Sequence, residues 1–146
     1  YKPSSGKIFR MILGKRIAFY PPGGKNFVSV KAVAAATVNA LNYGISGEAY
    51  LLTGTDMSYR DFFRLASEKA GQNTWLIPVP ALSLLLVGTA GSLLKLCRIK
   101  TSVDLTNTRI LCRKFHYSNE KAREHLFLEE CNIHNVTQEC IDWFIR

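Results

Sequence analysis

Tyr117 and Lys121, in the stretch FHYSNEKAREHL over residues 115–126, are of types and at a spacing that could perform acid–base chemistry. A lysine ammonium close to a tyrosine hydroxyl favours the tyrosinate, and such a pair can exchange a proton with a substrate oxygen. Residues four apart face the same side only when both lie inside one helix. Ser118 and Asn119 are good N-cap residues, so we predict that the helix begins after Tyr117. Lys121 then falls in the first turn, and the pattern predicts a helix start rather than a catalytic pair.

The four cysteines and three histidines do not have the spacing of a metal site. No C-x-x-C pair occurs, and no histidine lies at a ligand spacing from two cysteines. Four cysteines in 146 residues are also too few for a disulfide scaffold. We therefore predict no metal ligands, reduced thiols and a cytoplasmic location. The cysteines are Cys97, Cys112, Cys131 and Cys140.

The net charge of +8 is concentrated in two basic segments. Residues 1–47 contain seven lysines and arginines and no carboxylate, and six more basic residues lie from Lys95 to Lys114. Basic patches bind nucleic acid, anionic lipid or phosphorylated ligands, and they also occur as solvated surfaces. No zinc-finger spacing or aromatic RNA-binding pattern accompanies the charge, so we predict that nucleic acid is not a partner.

Hydrophobic periodicity and the positions of glycine and proline predict a single α/β domain over residues 1–146. A hydrophobic content of 47% with 21% charged residues is typical of a folded chain. Parallel strands joined by one crossover helix need further strands beside them and cover on both faces. Because the chain opens on Tyr1 without a signal peptide, we expect those neighbours in an N-terminal segment or in a second copy. We predict strands at 17–20, 26–30, 48–54 and 74–80, and helices at 31–44, 59–70, 81–97, 102–113, 119–126 and from 135.

Local signals predict how several of these helices begin, end and pack. Ser58 and Asp61 form a capping box, with Asp in place of Glu. Gly44 and Gly71 are placed to end helices, and we expect Gly44 in the left-handed conformation. The side chains predicted to pack inward are Val33, Ala34, Thr37, Ala40, Leu41, Trp75, Val136, Cys140, Trp143 and Phe144.

The segment over residues 81–97 has the pattern of an apolar helix. No charge occurs from Thr74 to Leu94, a stretch of 21 residues that is just long enough to span a bilayer. Two prolines near its start, and Gly88 and Gly91 within it, argue against a span. We predict an ordinary buried helix, with an interfacial or lid helix and a membrane span as alternatives.

Four segments of the chain, in order, carry a family pattern. Residues 23–71, GGKNFVSVKAVAAATVNALNYGISGEAYLLTGTDMSYRDFFRLASEKAG, resemble the C-terminal half of the extended short-chain dehydrogenases/reductases. LIPVPALSLLLVGTAGSLL (76–94) is similar to the Pro-led apolar helix of the NAD-dependent epimerase/dehydratase group, in its dihydroflavonol-reductase-like branch. YSNEKAREHL (117–126) and CIDWFIR (140–146) resemble that branch's Tyr-x-x-x-Lys-Ala segment and closing helix, so the resemblance covers nearly the whole chain.

The resemblance implies an α/β fold, the C-terminal portion of an extended Rossmann-type short-chain dehydrogenase, mostly helical with a few short strands. In that family an N-terminal Rossmann half binds the dinucleotide on a Gly-rich loop and also carries the catalytic Ser/Thr, Tyr and Lys. No G-x-G-x-x-G occurs in this chain, which therefore lacks that half. The resemblance implies that NAD or NADP binds in the intact protein, and that this chain alone binds no cofactor. It also implies that Tyr117 and Lys121 are not the catalytic pair.

The resemblance implies that the chain is the substrate-binding portion of an NAD(P)-dependent reductase or epimerase. The substrate would be a small organic or sugar-like molecule that reacts at a carbonyl or alcohol carbon. Besides the substrate, the partner of this chain would be the N-terminal Rossmann half, and a homodimer is a further option. We expect this chain alone to be inactive. A basic domain that binds an anionic membrane surface through residues 81–97, or a non-catalytic interaction domain, is the alternative.

The resemblance also places a substrate pocket between the two halves, and we predict that Ser5, Phe9, Asn26 and Arg109 line it. Asn26 lies where the family often contacts substrate, and its alternative role is a structural hydrogen bond at the turn. Arg109 can hold an anionic group through two parallel hydrogen bonds, and its alternative is a surface position or an ion pair. Catalytic and cofactor-binding residues are expected outside this chain.

Two positions depart from the family pattern. Ala32 stands where the family usually has Asp, and losing a helix cap there costs about 1 kcal/mol. Leu126-Phe127-Leu128 stands where the family commonly has Leu-Gly-Phe, so the glycine that permits a left-handed turn is missing. We therefore expect a rearranged helix end at this position.

Overall fold

Seven helices and four strands make up the part of the chain that the structure, a computed structural model, describes, which is residues 7–96 and 104–145. The mixed α/β class agrees with the class predicted from the sequence. The strands are β1 (Ile17–Tyr20), β2 (Gly24–Phe27), β3 (Thr55–Ser58) and β4 (Trp75–Pro78). The helices are α1 (Lys7–Arg10), α2 (Val30–Tyr43), α3 (Tyr59–Lys69), α4 (Ala81–Leu96), α5 (Leu105–Leu111), α6 (Glu120–Leu126) and α7 (Ile133–Ile145).

The contacts divide the chain into two units. The first unit comprises the described residues of Tyr1–Gly24 and Ser58–Lys114. The second unit comprises the described residues of Lys25–Met57 and Phe115–Arg146. Each unit has buried side chains of its own, while the single domain predicted over residues 1–146 stays a prediction.

The first unit contains a two-stranded parallel sheet in which β1 pairs with β4. The predicted strands at these two places are therefore confirmed. Ala18 is buried on the face of β1 that α3 covers. The opposite face, which we call the open sheet face, is exposed because side chains alternate along a strand. It consists of two register pairs, Ile17 with Trp75 and Phe19 with Ile77.

Helix α3 forms as its sequence signals predict. Ser58 Oγ accepts a hydrogen bond from the Asp61 N–H (3.1 Å), which satisfies one of the free donors of the first turn. Phe62 and Phe63 are each 1% exposed, and their helical spacing gives α3 a continuous buried side. Gly71, just beyond the helix, takes a positive φ of 63° and ends it.

Helix α4 packs closely on α5 at Gly88. Gly88 and Gly91 are buried, and a Cβ at Gly88 would lie 2.1 Å from Thr108 Oγ1. Leu82 and Leu86 are 70% and 62% exposed, so the prediction of an ordinary buried helix is wrong. Within the described ranges, no helix combines the length and apolar character that crossing a bilayer requires.

In the second unit, α2 packs on α6 through small side chains. Ala32 and Ala36 of α2 are buried against Ala122, Leu126 and Leu128. Ala40, predicted to face inward, packs against this cluster, whereas Val33 and Thr37 of the predicted face lie one position from the buried Ala32 and Ala36. Alanines four residues apart let the two helix backbones approach closely, and the larger side chains of α2 are left outside that contact.

The two ends of α2 also differ from the sequence predictions. The helix begins after Ser29, so Ala32 lies inside the first turn and belongs to the buried cluster rather than to a cap. The cost expected from a missing cap at Ala32 therefore does not apply. Gly44, at the other end, has φ −68° and is extended rather than left-handed, which corrects that prediction as well.

The strand predicted over residues 48–54 does not form, and the strand that pairs with β2 is β3, just after it. Side chains satisfy the backbone of this segment instead. Asn119 Nδ2 donates to the Thr53 carbonyl (2.7 Å), and the Asn26 amide bonds both the N–H and the carbonyl of Gly54. A segment whose polar groups already have partners needs no strand ladder.

Helix α6 ends at Leu126, and Phe127 caps it with φ 53° and ψ 40° and an N–H that bonds the Ala122 carbonyl. The rearrangement expected from the absence of glycine is therefore wrong. The left-handed turn is kept, and a residue with a Cβ occupies it. This conformation is strained for any residue other than glycine, or to a smaller degree asparagine or aspartate.

Helix α7 begins two residues before the predicted start and turns a different face inward. Asn132 Oδ1 accepts hydrogen bonds from the N–H groups of His134 (3.2 Å) and Asn135 (3.4 Å), as an N-cap does. Trp143 and Trp75 are 59% and 73% exposed, so the predicted packing of both is wrong. The buried residues of α7 include Ile133, Thr137 and Ile141, one position from the predicted face.

Candidate functional site

The four predicted pocket residues occupy different surroundings. Ser5 lies outside the described residues. Phe9, in the first unit, is 7% exposed and packs edge-on against Phe62, with ring centroids 5.3 Å apart, as a core residue does. Arg109, also in the first unit, is exposed on α5, and Asn26 lies in the second unit. Their roles in substrate binding stay predictions.

The side-chain amide of Asn26 is fully engaged within the second unit. Its Oδ1 accepts from the Gly54 N–H (2.8 Å), and its Nδ2 donates to the Gly54 carbonyl (3.3 Å) and to Asp56 Oδ1 (2.7 Å). Both N–H donors and one lone pair of the amide are therefore used. Asn26 ties β2 to the start of β3, which is the structural role that the sequence left open beside substrate binding.

Gly54 permits this arrangement because its backbone lies against the end of β2. A Cβ at Gly54 would lie 2.3 Å from the Phe27 carbonyl oxygen and 2.9 Å from Val28 Cα, both backbone atoms that cannot rotate away. Only glycine lets the two segments approach closely enough for the Asn26 amide to reach both backbone groups. The same approach fixes Asp56, two residues further on.

Asp56 joins Asn26 to an exposed histidine. Its second oxygen, Oδ2, lies 3.1 Å from His116 Nδ1, and the imidazole side chain is 81% exposed. Because an ionised carboxylate only accepts hydrogen bonds, Nδ1 carries the proton in this pair and Nε2 is left as the acceptor of a neutral ring. The arrangement orients an exposed imidazole. Asp56 and His116 lie 60 positions apart in the sequence, so no local spacing predicts their contact.

Tyr117 and Lys121 are not an acid–base pair. α6 begins at Glu120, which confirms that Lys121 lies in the first turn and Tyr117 before the helix. Lys121 Nζ bonds the carboxylate of Glu48 and lies 4.9 Å from the ring centroid of Tyr50. The hydrogen bond from Lys121, reinforced by its charge, holds the pKa of the Glu48 carboxyl below its usual value. Tyr117 instead stacks on the neighbouring ring of Phe115.

The thiols that the structure describes are free. Cys112, Cys131 and Cys140 are partly buried, and burial raises the pKa of the Cys140 thiol, which makes it a poor nucleophile. Cys97 lies outside the described residues. Among residues 7–96 and 104–145, no three His, Cys, Asp or Glu side chains are grouped to hold a metal ion.

Two of the described connections from strand to helix, β3 to α3 and β4 to α4, do not form a dinucleotide cradle. A pyrophosphate needs a glycine-rich turn and free N–H groups at the helix that follows the strand. β3 runs directly into α3 at Ser58, whose Oγ already accepts from the Asp61 N–H. β4 is followed by Val79 and Pro80 before α4 begins. These residues therefore do not fit the pyrophosphate of NAD or NADP.

A cleft of about 650 Å³ is formed within the first unit by β1, α3, β4 and the turn between α3 and β4. Its size is that of a small-molecule site. Phe9, Asn26 and Arg109, the predicted pocket residues that the structure describes, do not line it. The arginines of α3 that do line it lie outside the two basic segments singled out in the sequence.

No family model matches the chain, and no curated protein matches it. Among solved structures, the crystal structure of gox2253 matches with a TM-score of 0.77 and 25% identity over 98% of this chain and 44% of that one. PA4631, a nucleoside-diphosphate-sugar epimerase from Pseudomonas aeruginosa, matches with a TM-score of 0.68 and 25% identity over 98% of this chain and 42% of that one. The structure of RMD from Pseudomonas aeruginosa complexed with NADPH matches in fold, with a TM-score of 0.57 and 13% identity over 94% of this chain and 39% of that one.

These similarities support the superfamily of short-chain dehydrogenases and epimerases, which is the class that the sequence resemblance indicates. The architecture agrees with part of such a Rossmann-like epimerase fold. The chain spans less than half the length of each of the three structures. The finer assignments, to the C-terminal half and to the dihydroflavonol-reductase-like branch, stay proposals.

Proposed function

We propose that the chain is the substrate-binding portion of an NAD(P)-dependent epimerase or reductase of the dihydroflavonol-reductase-like branch. The observation that carries the proposal is the match of 98% of the chain to a nucleoside-diphosphate-sugar epimerase, with a TM-score of 0.68 and 25% identity. In the intact protein a hydride would pass between the nicotinamide and a carbonyl or alcohol carbon, and the nicotinamide supplies that chemistry. This chain would shape the pocket for a small organic or sugar-like substrate.

Two features support this division of roles. The connections of β3 to α3 and of β4 to α4 do not fit a pyrophosphate, and the dinucleotide would bind to an N-terminal Rossmann half. On the open sheet face, the side chains of Phe19 and Trp75 are 58% and 73% exposed. Adjacent aromatic side chains of this size are seldom so exposed on the surface of a complete soluble protein. Such a face is suited to cover by further protein, either that Rossmann half or a second copy.

The proposed pocket residues are Ser5, Phe9, Asn26 and Arg109. Arg109 is the residue among them best suited to hold substrate directly. It is exposed and forms no ion pair with another described residue, so its guanidinium is available for an anionic group such as a phosphate. Phe9 and Asn26 would act mainly by fixing the backbone near the pocket, because one is packed in the core and the other has its amide engaged.

The test compares this chain with the protein from its complete reading frame in a fluorescence titration with NADH and NADPH. We expect the complete protein to bind one of them and this chain to bind neither. In the complete protein, Arg109→Gln should raise KM for a nucleoside-diphosphate sugar or other anionic substrate, whereas Lys69→Gln should not. Tight cofactor binding by this chain alone would overturn the division of roles, and a complete protein that binds neither cofactor would overturn the function.

A second candidate function is binding to an anionic membrane surface through α4. Leu82, Leu86 and Leu93 are 62–70% exposed, and the unit that contains them is strongly basic. The measurement is co-sedimentation with phosphatidylglycerol vesicles at low and moderate salt. Binding that Leu86→Gln and Leu93→Gln abolish would support it, and no binding at low salt would remove it.

A further inference from the structure

The positive charge of the protein belongs to the first unit. The described residues of that unit include 11 lysines and arginines against three aspartates and glutamates, whereas those of the second unit include four against eight. A local excess of this size raises the concentration of anions near the surface. The cleft of about 650 Å³ lies in the first unit, so any ligand that enters it does so within a positive field.

The floor of this cleft is held by hydrogen bonds that leave its shape fixed. Ser67, which is buried, donates through Oγ to the Gln72 carbonyl (2.8 Å) and accepts from the Thr74 N–H (3.3 Å). Thr74 Oγ1 donates to the Lys15 carbonyl (2.9 Å), and Gln72 Oε1 accepts from the Gly14 N–H (3.1 Å). A floor whose polar groups are satisfied by each other does not collapse, and it loses little entropy when a ligand binds.

Arg60 and Arg64 line the cleft from one side of α3. They lie four residues apart, so their side chains project from neighbouring turns of the same helical face. Neither forms an ion pair with another described residue, unlike Lys31, Lys95 and Lys121. Glu68 is the one carboxylate among the lining residues, which leaves the lining with an excess of positive charge.

The opposite side of the cleft is less polar. Tyr20, at the end of β1, and Leu76, in β4, both line it and are partly buried. A tyrosine ring and a leucine side chain offer a surface for an apolar or aromatic group. The cleft thus combines two unpaired guanidinium groups with an apolar wall, and each suits a different part of one amphiphilic ligand.

We propose that this cleft binds the phosphate monoester of a small organic molecule. Arg60 and Arg64 hold the phosphate, since the guanidinium fork matches two phosphate oxygens and carries a permanent charge. Tyr20 and Leu76 contact the organic part. The site is separate from the proposed substrate residues, so the inference does not depend on the proposed function.

The experiment is an isothermal titration of this chain with phenyl phosphate, with phenol and inorganic phosphate as the two halves of the probe. We expect phenyl phosphate to bind more tightly than either half. Binding should strengthen above about pH 6, where the monoester becomes a dianion. Arg60→Gln and Arg64→Gln should each weaken binding about tenfold, because each removes one charge-assisted fork.

Lys69→Gln is the matched control, because Lys69 lies on the same helix, carries the same charge and does not line the cleft. It should change the affinity less than about twofold, as expected for a screened distant charge. Circular dichroism verifies that each variant is folded. Equal losses in all three variants would show a general charge effect and overturn the site, as would phenyl phosphate that does not bind the wild type.

The same phosphate chemistry occurs on a lipid headgroup, so phosphatidic acid vesicles form a separate arm. We expect soluble phenyl phosphate to bind without vesicles. Binding to vesicles alone, with no binding of phenyl phosphate, would overturn the proposal in favour of a membrane surface. A nuclear magnetic resonance titration locates the probe, and shifts confined to residues outside β1, α3 and β4 would contradict it.

Discussion

Phe127 holds a backbone conformation that side chains rarely adopt. Its φ of 53° lies in the left-handed region, where a Cβ approaches the neighbouring carbonyl oxygen. The side chain is 60% exposed and meets the ring of Tyr43 edge-on at 5.2 Å, which recovers part of the cost. The family pattern with glycine at this position therefore describes a backbone requirement that this chain meets without glycine.

Replacing Phe127 separates the strain of the left-handed backbone from the contact with the Tyr43 ring. Phe127→Gly and Phe127→Ala both remove the ring contact, but only glycine relieves the left-handed strain. We expect the glycine variant to be more stable than the alanine variant by about 1 kcal/mol. Urea unfolding followed by circular dichroism measures the difference. Equal stabilities would show that this turn is not left-handed in solution.

Lys121 acts on Glu48 rather than on a tyrosine. Because its hydrogen bond lowers the pKa of the Glu48 carboxyl, Lys121→Gln should raise that pKa towards its ordinary value. A carboxyl whose pKa is lower in the folded state contributes stability above its unfolded pKa and loses it as the pH falls through the folded value. On acidification the wild type should therefore lose a small contribution to its folding stability. The Lys121→Gln variant lacks this contribution at every pH.

The measurement for this pair is a carbon-detected nuclear magnetic resonance titration of Glu48. Arg123→Gln is the control, since Arg123 pairs with Glu130 (2.9 Å), whereas the ion pair of Glu48 in the described chain is with Lys121. It should leave the midpoint of Glu48 unchanged. The same midpoint in the wild type and in Lys121→Gln would contradict the ion pair.

At the scale of elements, the contact of α4 with α5 depends on the absence of one side chain. A Cβ at Gly88 would meet Thr108 Oγ1 at 2.1 Å and Leu105 Cα at 3.1 Å. The Thr108 hydroxyl cannot easily turn away, because it bonds the carbonyls of Asp104 and Leu105, each at 3.1 Å. Gly88 therefore sets how closely these two helices pack.

We therefore expect Gly88→Ala to destabilise the protein, although this change in a helix is usually stabilising. Glycine to alanine in a helix usually stabilises by about 1 kcal/mol. Here we expect a loss of about 1–3 kcal/mol from overpacking, measured by urea unfolding. Adding Thr108→Ala removes the obstructing atoms and should recover much of that loss. A stabilised Gly88→Ala would show that α4 does not pack on α5 through this position.

The elements that the sequence predicts well are those whose signals are local. The start of α3 follows from Ser58 and Asp61, and its buried side from phenylalanines at helical spacing. Most of the inward face of α2 is missed because its larger apolar side chains, such as the exposed Leu41, mark another side of the helix, while alanines make the contact. The strand expected over 48–54 is missed because its partners, Asn26 and Asn119, are distant side chains.

The candidate sites also differ in whether local sequence signals or contacts between distant residues define them. Asn26 stands out in the sequence because the family pattern and the turn both point to it, although its amide proves to be engaged. The contact of Asp56 with His116 joins residues from two segments far apart in the chain. Arg60 and Arg64 read as an ordinary solvated helix face, and only the turn that folds back beside α3 makes them line a cleft.

At the scale of the whole molecule, net charge and exposed apolar surface oppose each other. A charge of +8 keeps copies of the chain apart at low salt. The open sheet face and the leucines of α4 favour association once that repulsion is screened. The repulsion acts over the screening length, whereas apolar contact acts only at the surface, so salt should weaken the first and not the second.

We therefore expect this chain to associate as salt is raised from about 0.01 M to about 1 M, which shortens the screening length from roughly 30 Å to roughly 3 Å. Sedimentation velocity at the two concentrations measures it. Combining Phe19→Ser with Trp75→Ser should reduce the association, because these two rings dominate the open sheet face. Leu41→Ser is the control, since Leu41 is 85% exposed on α2 of the second unit and should have little effect. Association that falls as salt is raised would contradict a role for the open sheet face. So would an equal reduction by the double variant and by Leu41→Ser.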